Sequence, residues 1–397
     1  MKCAAKFLRS SLFLGLAALL LPVLARAQHY KQTNLVSNLA SISTPNPPDP
    51  NLKNPWGLTR SPGGSPWWVS NNNSGTSTLY DGNGNAYPPP AKGGPLVVTV
   101  PPPTGSPAGT QSTPTGVVYN GSLTDFLVAP GKSAHFIFAT EDGTISGWNS
   151  GQNAVLVVDN SDNGSANGAV YKGMTSGEID GHRFLYVTNF RKARVEVYDT
   201  NFMPKRLGDD AFDPDGDEGH GHDDRGGERI PRGFAPFNIQ NIGGTLFVTY
   251  AKQNAARHDD VAGDGLGFVE IFTTSGKHIG HLQHGTWLNS PWGVVWTTRD
   301  FGEFSNAILV GNFGSGRIAA FNGFTYKFLG FVKNPDDSIL TIDGLWSLTF
   351  GNDGDPAPPK NGAGPANTLF FTAGINGEQD GLFGTITPVD GLDGDEE

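Results

Sequence analysis

The sequence predicts an all-β protein, a six-bladed β-propeller with four-stranded antiparallel blades that follows a cleaved signal peptide. Three observations predict this fold. Gly and Pro, with 55 and 29 copies among 397 residues, are roughly a fifth of the chain against about 12% in average usage, and both disfavour helix interiors. Short β-rich runs alternate with clusters of turn-forming residues. One phrase recurs six times along the chain.

The recurring phrase is a loop, an apolar strand, a turn, a strongly apolar second strand, a Gly-rich turn and a third strand. Its second strand is read at 67–72, 135–141, 184–189, 245–251, 307–312 and 368–373. A fourth strand fits after the third, and four-stranded units repeated around an axis form a propeller. We expect one domain, residues 28–390, with blades at about 54–100, 113–159, 171–207, 234–283, 290–334 and 343–388. Residues 33–37 are expected to complete the last blade.

The first residues have the features of a signal peptide. Lys2, Lys6 and Arg9 precede an apolar run, and residues 25–27 (Ala-Arg-Ala) match a cleavage site. The apolar run is shorter than the ~20 residues that a membrane-spanning helix needs. We therefore expect a signal peptide at 1–27, no membrane span after its cleavage, and a secreted or periplasmic protein. Residues 391–397 are expected to form an acidic tail.

Charge and cysteine content exclude two classes of protein. The net charge of −11 argues against nucleic-acid binding, which needs a basic surface. The only cysteine, Cys3, lies in the predicted leader, so the mature protein is expected to contain neither a disulfide nor a catalytic thiolate. We expect a monomer whose partner is a small molecule, a glycan, a peptide or an envelope protein.

Propeller topology predicts where a site would lie. The loop entering each inner strand and the turn after each second strand open on the same face, because antiparallel strands alternate the ends at which they turn. The candidate ligand-binding residues in these loops are Asn54, Trp56, Lys172, Arg191, Lys252, His258, Asp260 and Trp346. Trp56 and Trp346 recur at equivalent positions with Trp292, so they suit either carbohydrate stacking or packing between blades.

Oxygen-bearing side chains also recur around this face. Asn72, Asn189 and Asn312 end the second strand in three blades, and Glu141 follows that strand in another. Carboxylate and amide oxygens are the ligands that Ca²⁺ and Mg²⁺ prefer, which makes Ca²⁺ or another divalent cation a candidate cofactor. The alternative is that each Asn caps its own turn.

Two loops stand out by length and charge. The turn at 251–267 contains His258 and Asp259, candidates for proton transfer, and its alternative role is that of a solvated lid. The acidic stretch 213–224 resembles a Ca²⁺ loop but departs from it at Glu218 and Asp224, so we interpret it as an acidic insertion.

Several phrases together resemble an uncharacterised family of exported bacterial β-propeller proteins, found in some genomes beside a carboxy-terminal sorting system. The matching segments include 143–148 (GTISGW), 237–244 (FNIQNIGG), 290–294 (SPWGV), 309–314 (LVGNFG) and 342–346 (IDGLW). A looser likeness is to NHL-repeat and gluconolactonase-like propellers. That likeness implies a divalent metal at the channel mouth that polarises an ester carbonyl, with Asp343 joining Glu141, Asn72 and Asn189 as candidate ligands; it is a likeness of fold, not of motif.

These observations favour an exported, non-catalytic propeller that recognises a glycan, a peptide or an envelope protein at the channel mouth. The alternative is a divalent-metal-dependent lactonase or esterase-type hydrolase, in which His258 or Asp259 moves the proton. A structural component of the cell envelope is a third interpretation. Whether the protein is an enzyme is therefore left open by its sequence.

Overall fold

The computed structural model describes residues 29–214, 230–353 and 362–389, which fold into six antiparallel sheets around one axis. The inner strands of neighbouring sheets contact one another around the whole ring, so the fold is the expected six-bladed propeller. The predicted signal peptide, most of the acidic stretch 213–224 and the acidic tail lie outside the described residues.

The strands are numbered in chain order. Those of blades 1 to 3, with the strand that precedes them, are β1 (His29–Ser37); β2 (Pro55–Thr59), β3 (Trp67–Asn71), β4 (Thr76–Tyr80), β5 (Val97–Thr99); β6 (Pro114–Tyr119), β7 (Leu127–Ala129), β8 (Lys132–Ser133), β9 (Phe136–Thr140), β10 (Thr144–Trp148), β11 (Val155–Asp159); β12 (Tyr171–Ile179), β13 (His182–Asn189), β14 (Arg194–Tyr198). Those of blades 4 to 6 are β15 (Phe234–Ile242), β16 (Thr245–Lys252), β17 (Gly267–Thr273), β18 (His278–His281); β19 (Pro291–Trp296), β20 (Ala307–Asn312), β21 (Ile318–Asn322), β22 (Phe328–Phe331); β23 (Leu345–Phe350), β24 (Leu369–Ala373), β25 (Leu382–Val389).

Helical structure is scarce. Among the described residues it is confined to single turns at Asn72–Ser74, Pro90–Lys92, Asp162–Gly164, Gly302–Phe304 and Ile375–Glu378. None of these turns has the length and apolar character that a transmembrane helix would require. The high Gly and Pro content accounts for this scarcity, because neither residue suits the interior of a helix.

Most residues of the second strand of each blade are buried, on both faces of the sheet. All five residues of β3 and of β9, and all six of β20, are buried. A strand whose sheet is covered on both sides reads as a continuous apolar run instead of an alternating one. Outer strands such as β11 are only partly covered by their neighbours.

The ring is closed by the chain's first described strand. β1 pairs antiparallel with β25 in the sheet order β1-β25-β24-β23, so the prediction that residues 33–37 complete the last blade is confirmed. Five blades have four strands, and the short strands β7 and β8 pair with each other in a separate two-stranded sheet beside blade 2. In blade 3 the described residues form three strands, and Pro204 bridges Tyr198 where a fourth would run.

Every inner strand carries a β-bulge at the same position. The register shifts lie at 55–58, 114–117, 171–173, 236–238, 291–293 and 345–348. A bulge inserts one residue that has no partner in the ladder and re-aims its side chain. The six residues at these bulges, here called the bulge residues, are Trp56, Thr115, Lys172, Phe237, Trp292 and Trp346.

Candidate functional site

Aromatic bulge residues close the channel at one end. Trp56, Phe237, Trp292 and Trp346 form one buried cluster with Phe190, here called the aromatic plug. The rings of Trp56 and Trp346 stack with their centroids 3.5 Å apart, and Trp292 meets Trp56 edge-on at 6.1 Å. Trp56 and Trp346, expected among the ligand-binding residues, thus pack on each other and are nearly inaccessible to solvent.

Lys172 is the one charged bulge residue. It lies on the aromatic plug, with Nζ 5.2 Å from the ring centre of Trp56 and 5.8 Å from that of Phe190. Only 3% of the residue is exposed. Its ammonium pairs with Glu141 Oε1 and lies 3.6 Å from Asp259 Oδ1. Burial by itself lowers the pKa of Lys172, but the carboxylates of Glu141, Asp259 and Asp260 together outweigh this effect, so the pKa is raised and the side chain is a cation.

Glu141 is held by its own blade and by the preceding one. It follows β9, and its backbone N–H donates to Thr113 O at 3.0 Å. Asn72 follows β3 in the same way, with its N–H donating to Asn54 O at 3.0 Å. Asn72 Nδ2 then donates to Glu141 Oε2 at 2.8 Å. Equivalent positions of two neighbouring blades therefore meet at the mouth, as the sequence predicted.

Asn189 and Asn312 do not join them. The inner-strand residues Pro55, Tyr171 and Pro291 pair with Asn71, Asn189 and Asn312, respectively. Asn189 and Asn312 therefore correspond to Asn71. They lie one position earlier in the repeat than Asn72 and Glu141. A one-residue offset in a strand turns a side chain to the other face.

The two amides instead make contacts within their own blades or with the segment that leads into them. Asn189 Nδ2 donates to Glu196 Oε1 at 2.9 Å, and Asn312 Nδ2 donates to Arg317 O at 3.1 Å. Asp343, the remaining candidate metal ligand, is exposed and accepts the backbone N–H of Asn376 at 2.8 Å. The structure therefore brings together Glu141 and Asn72 from the predicted ligand set, but not Asn189, Asn312 or Asp343.

The long turn of blade 4 reaches the same place. His258 Nδ1 lies 2.6 Å from Asp259 Oδ1, and Asp259 faces the Lys172 ammonium. The hydrogen bond with His258 and the charge of Lys172 lower the pKa of Asp259 to about 2. The two residues that the sequence offered for proton transfer thus lie beside Glu141 and Lys172.

Three further carboxyl groups lie near Glu141 and Lys172. Burial raises the pKa of Asp260, of Glu378 and of Asp142. Glu378 Oε2 accepts from Asn54 Nδ2 at 2.8 Å, and Asn54 Oδ1 accepts from the indole N–H of Trp346 at 3.0 Å. Charge interactions link Glu378 with Glu141, Lys172 and Asp260. The residues of this site, here called the mouth cluster, are Glu141, Lys172, His258, Asp259, Asp260 and Glu378.

Glu378 and Asp142 lie in turns after a second strand, on the face that the topology predicted, but the sequence did not single them out as ligand-binding or metal-binding candidates. Their position in the repeat, after a second strand, is the same feature that selected Glu141 as a candidate. Of the other predicted ligand-binding residues, Arg191 Nη1 donates to Ser165 O and Gly168 O, and Lys252 is exposed at the end of β16.

One subset of the mouth cluster has ligand spacing suited to a metal ion. Oxygen and nitrogen atoms of Glu141, His258 and Asp259 lie within 4.8 Å of one another. The Lys172 ammonium, however, already neutralises Glu141 and approaches Asp259. A divalent cation would have to displace this lysine, so the residues fit a metal poorly while Lys172 stays in place.

No protein-family profile matches this chain. The chain is 30% identical to the uncharacterized protein R648 of Acanthamoeba polyphaga mimivirus over 367 residues, which is 90% of this chain and 80% of R648. It is 33% identical to R640 of the same virus over 66% of this chain and 45% of R640, so it spans less than half of R640. These relatives are viral and lend no support to the bacterial origin, export or sorting system that the resemblance implied.

Solved propellers are similar in architecture. A catalytically inactive virginiamycin B lyase from Staphylococcus aureus with quinupristin is 11% identical with a TM-score of 0.48, covering 91% of this chain and 100% of the lyase. Regucalcin from Agrobacterium tumefaciens, a calcium-binding protein, is 13% identical with a TM-score of 0.44, covering 85% of this chain and 91% of regucalcin. At such identities the likeness concerns the fold alone.

Proposed function

We propose that this protein binds a polar ligand over the mouth cluster. The chain belongs to the same family as the mimivirus protein R648. The observation that carries this proposal is the buried ion pair between Lys172 and Glu141 on the aromatic plug. Four of the other five bulge residues are aromatic and the fifth is Thr115, so packing around the axis does not itself require a charge.

A buried ion pair is weak evidence for stability, because removing two charges from water costs several kcal/mol for each ion. Ionisable groups with shifted pKa values, gathered in a concave place, are typical of functional sites. The mouth cluster combines a buried ion pair with shifted pKa values, because burial raises the pKa of Asp260 and of Glu378 beside Lys172 and Glu141. This supports a role in recognition.

The chemistry of the cluster indicates which ligand groups it would accept. Four carboxyl groups, those of Glu141, Asp259, Asp260 and Glu378, face one ammonium and one imidazole. Such a site favours hydrogen-bond donors, and a positive charge most of all. We therefore propose a ligand with hydroxyl and ammonium groups, such as an amino-sugar glycan or a basic peptide. If residues 1–27 act as the predicted signal peptide, the protein would bind its ligand outside the cytoplasm.

An array of neutral glycans, amino-sugar glycans and basic peptides tests the proposal. We expect the strongest signal from amine-bearing ligands, and binding about 10- to 150-fold weaker in the Glu141→Gln variant, because one charge-assisted hydrogen bond contributes about 1.5–3 kcal/mol. Glu178→Gln is the matched control. Glu178 lies in the same strand as Lys172, about 20 Å further along it at 3.3 Å per residue.

The Glu141→Gln protein must first melt cooperatively, so that lost binding is not confused with lost folding. Undiminished binding by a folded Glu141→Gln/Glu378→Gln protein would contradict the proposed site. An equal loss of binding in Glu178→Gln would show that the change in net charge, and not the mouth cluster, causes the effect.

A metal-dependent hydrolase is the second candidate, favoured by the spacing of Glu141, His258 and Asp259. A bound ion there would polarise an ester carbonyl, and His258 would move the proton. Because Lys172 competes for the same carboxylates, this hypothesis predicts that Lys172→Met strengthens metal binding at the mouth. A folded Lys172→Met protein with no gain in affinity for Ca²⁺ or Zn²⁺ would argue against it.

A further inference from the structure

The outer half of blade 4 brings a carboxylate and two histidines together, away from the mouth. Glu270 on β17 pairs directly with His281 on β18, and Phe272 pairs with His278. Ligand atoms of Glu270, His278 and His281 all lie within 4.8 Å of one another. His278 Nε2 lies 2.7 Å from Glu270 Oε2, and its ring meets Phe272 edge-on at 5.3 Å.

A β-bulge makes this arrangement possible. Residues three apart on a regular strand point to opposite faces, but the register shift opposite Ile271 and Phe272 inserts one residue between His278 and His281. Both imidazoles therefore lie on the face of Glu270. Glu270 is 1% exposed, while both histidines are half-buried, so the site has one buried anchor and a side that solvent can reach.

Blade 5 contains the same geometry with different side chains. Its bulged pair of outer strands places Ala319 opposite Phe331 and Phe321 opposite Phe328. Ala319, Phe328 and Phe331 thus occupy the positions of Glu270, His278 and His281, and they pack as apolar residues. The repeat does not need polar side chains here, so blade 4 departs from it at all three positions together.

We propose that Glu270, His278 and His281 bind Zn²⁺ or a similar borderline divalent ion. Two imidazoles and one carboxylate are a common set of protein ligands for Zn²⁺, with a further coordination position left for water or another ligand. Zn–N and Zn–O bonds of about 2.0–2.2 Å put ligand atoms within the observed spacing after small side-chain adjustments. The ion would join β18 to β17, its one partner among the described strands.

The test uses the full chain with His220→Ala and His222→Ala, because these two histidines lie outside the described residues and could bind zinc separately. We expect one equivalent of Zn²⁺ by mass spectrometry and dialysis, and a higher melting temperature with zinc than with chelator, since an ion bound only to the folded state stabilises it. Co²⁺ should give the visible absorption of a four-coordinate site.

Glu270→Gln and His281→Phe, the latter copying blade 5, are expected to lose the bound equivalent or weaken it at least tenfold. Two controls should keep it: His182→Ala, an exposed histidine of blade 3, and a Glu141→Ala protein that still melts cooperatively, which would remove any ion at the mouth. Absence of stoichiometric zinc and of the Co²⁺ spectrum in the starting protein would overturn the proposal. So would retention of the ion by a folded Glu270→Gln/His281→Phe protein.

Discussion

Among the six bulge residues that surround the axis, Lys172 alone carries a charge, and its environment explains why it can. Its ammonium faces the Glu141 carboxylate and lies over the rings of Trp56 and Phe190, and a ring face attracts a cation. Removing one partner of a buried pair leaves an uncompensated charge, which costs about 3–5 kcal/mol. The mouth therefore depends on both residues together.

Glu378→Gln should stabilise the protein at neutral pH. Burial raises the pKa of Glu378 above its ordinary value of 4.5, so the folded state holds this proton more tightly than the unfolded state does. Stability is thus lost as the pH rises from about 4.5 through the raised value. Gln keeps an amide oxygen for Asn54 and removes the charge.

The expected gain is about 1 kcal/mol in the free energy of unfolding at pH 7, vanishing below about pH 4, measured by urea denaturation across pH. The exposed Glu178→Gln serves as the control for loss of one negative charge. A gain of equal size at pH 4 and pH 7 would show that burial of this carboxyl group is not the cause.

At the scale of elements, the bulged inner strands approach one another closely at the axis. Small residues follow the bulge residues, with Gly57, Gly116, Gly173 and Gly293 in four blades. A Cβ on Gly57 would lie 2.4 Å from Thr115 O, and one on Gly116 would lie 2.6 Å from Met174 N. The neighbouring backbone leaves room for hydrogen only, so these glycines set how tightly the blades converge.

Gly57→Ala is accordingly expected to lower the free energy of unfolding by about 1–3 kcal/mol, the usual cost of overpacking a core. Gly63→Ala is the matched control in the same blade, since nothing lies within 4 Å of the added Cβ. Denaturant unfolding of both variants measures the difference. Equal stability of the two proteins would mean that the inner strands separate at little cost.

At the scale of the whole molecule, the ring is held closed by β1, which pairs with β25 although more than 340 residues separate them. Tyr30 of β1 is fully buried and also joins blade 6 to blade 5. Its hydroxyl donates to Phe301 O at 3.0 Å and accepts from Phe304 N at 3.1 Å. Burial raises the pKa of Tyr30 to about 12, so this hydroxyl keeps its proton at neutral pH.

Two substitutions separate the contributions of this residue. Tyr30→Phe leaves two buried backbone groups without their partner and should cost about 1–3 kcal/mol. Tyr30→Ala also empties a large buried volume and should cost about 3–5 kcal/mol. Urea unfolding followed by tryptophan fluorescence reports both. If neither variant is less stable than the wild type, closure through β1 contributes little to the stability of the folded ring.

Much of the architecture could be predicted because it rests on short-range patterns. Six apolar second strands, the turn residues between them and the unpaired strand at 33–37 were enough for the propeller and its closure. The convergence of Asn72, Glu141, Lys172 and His258 also followed, because a ring brings equivalent loops to one face whatever the details of each loop.

What the sequence by itself determined is thus the repeat, the burial of its middle strands and the face on which the charged loops meet. Tertiary structure alone decided the register. The bulges that aim Lys172 at the axis, the offset that turns Asn189 and Asn312 away, and the pairing of Glu270 with His281 depend on hydrogen bonds between strands. A sequence pattern records alternation along one strand, whereas the direction of a side chain at a bulge is set by the neighbouring strand.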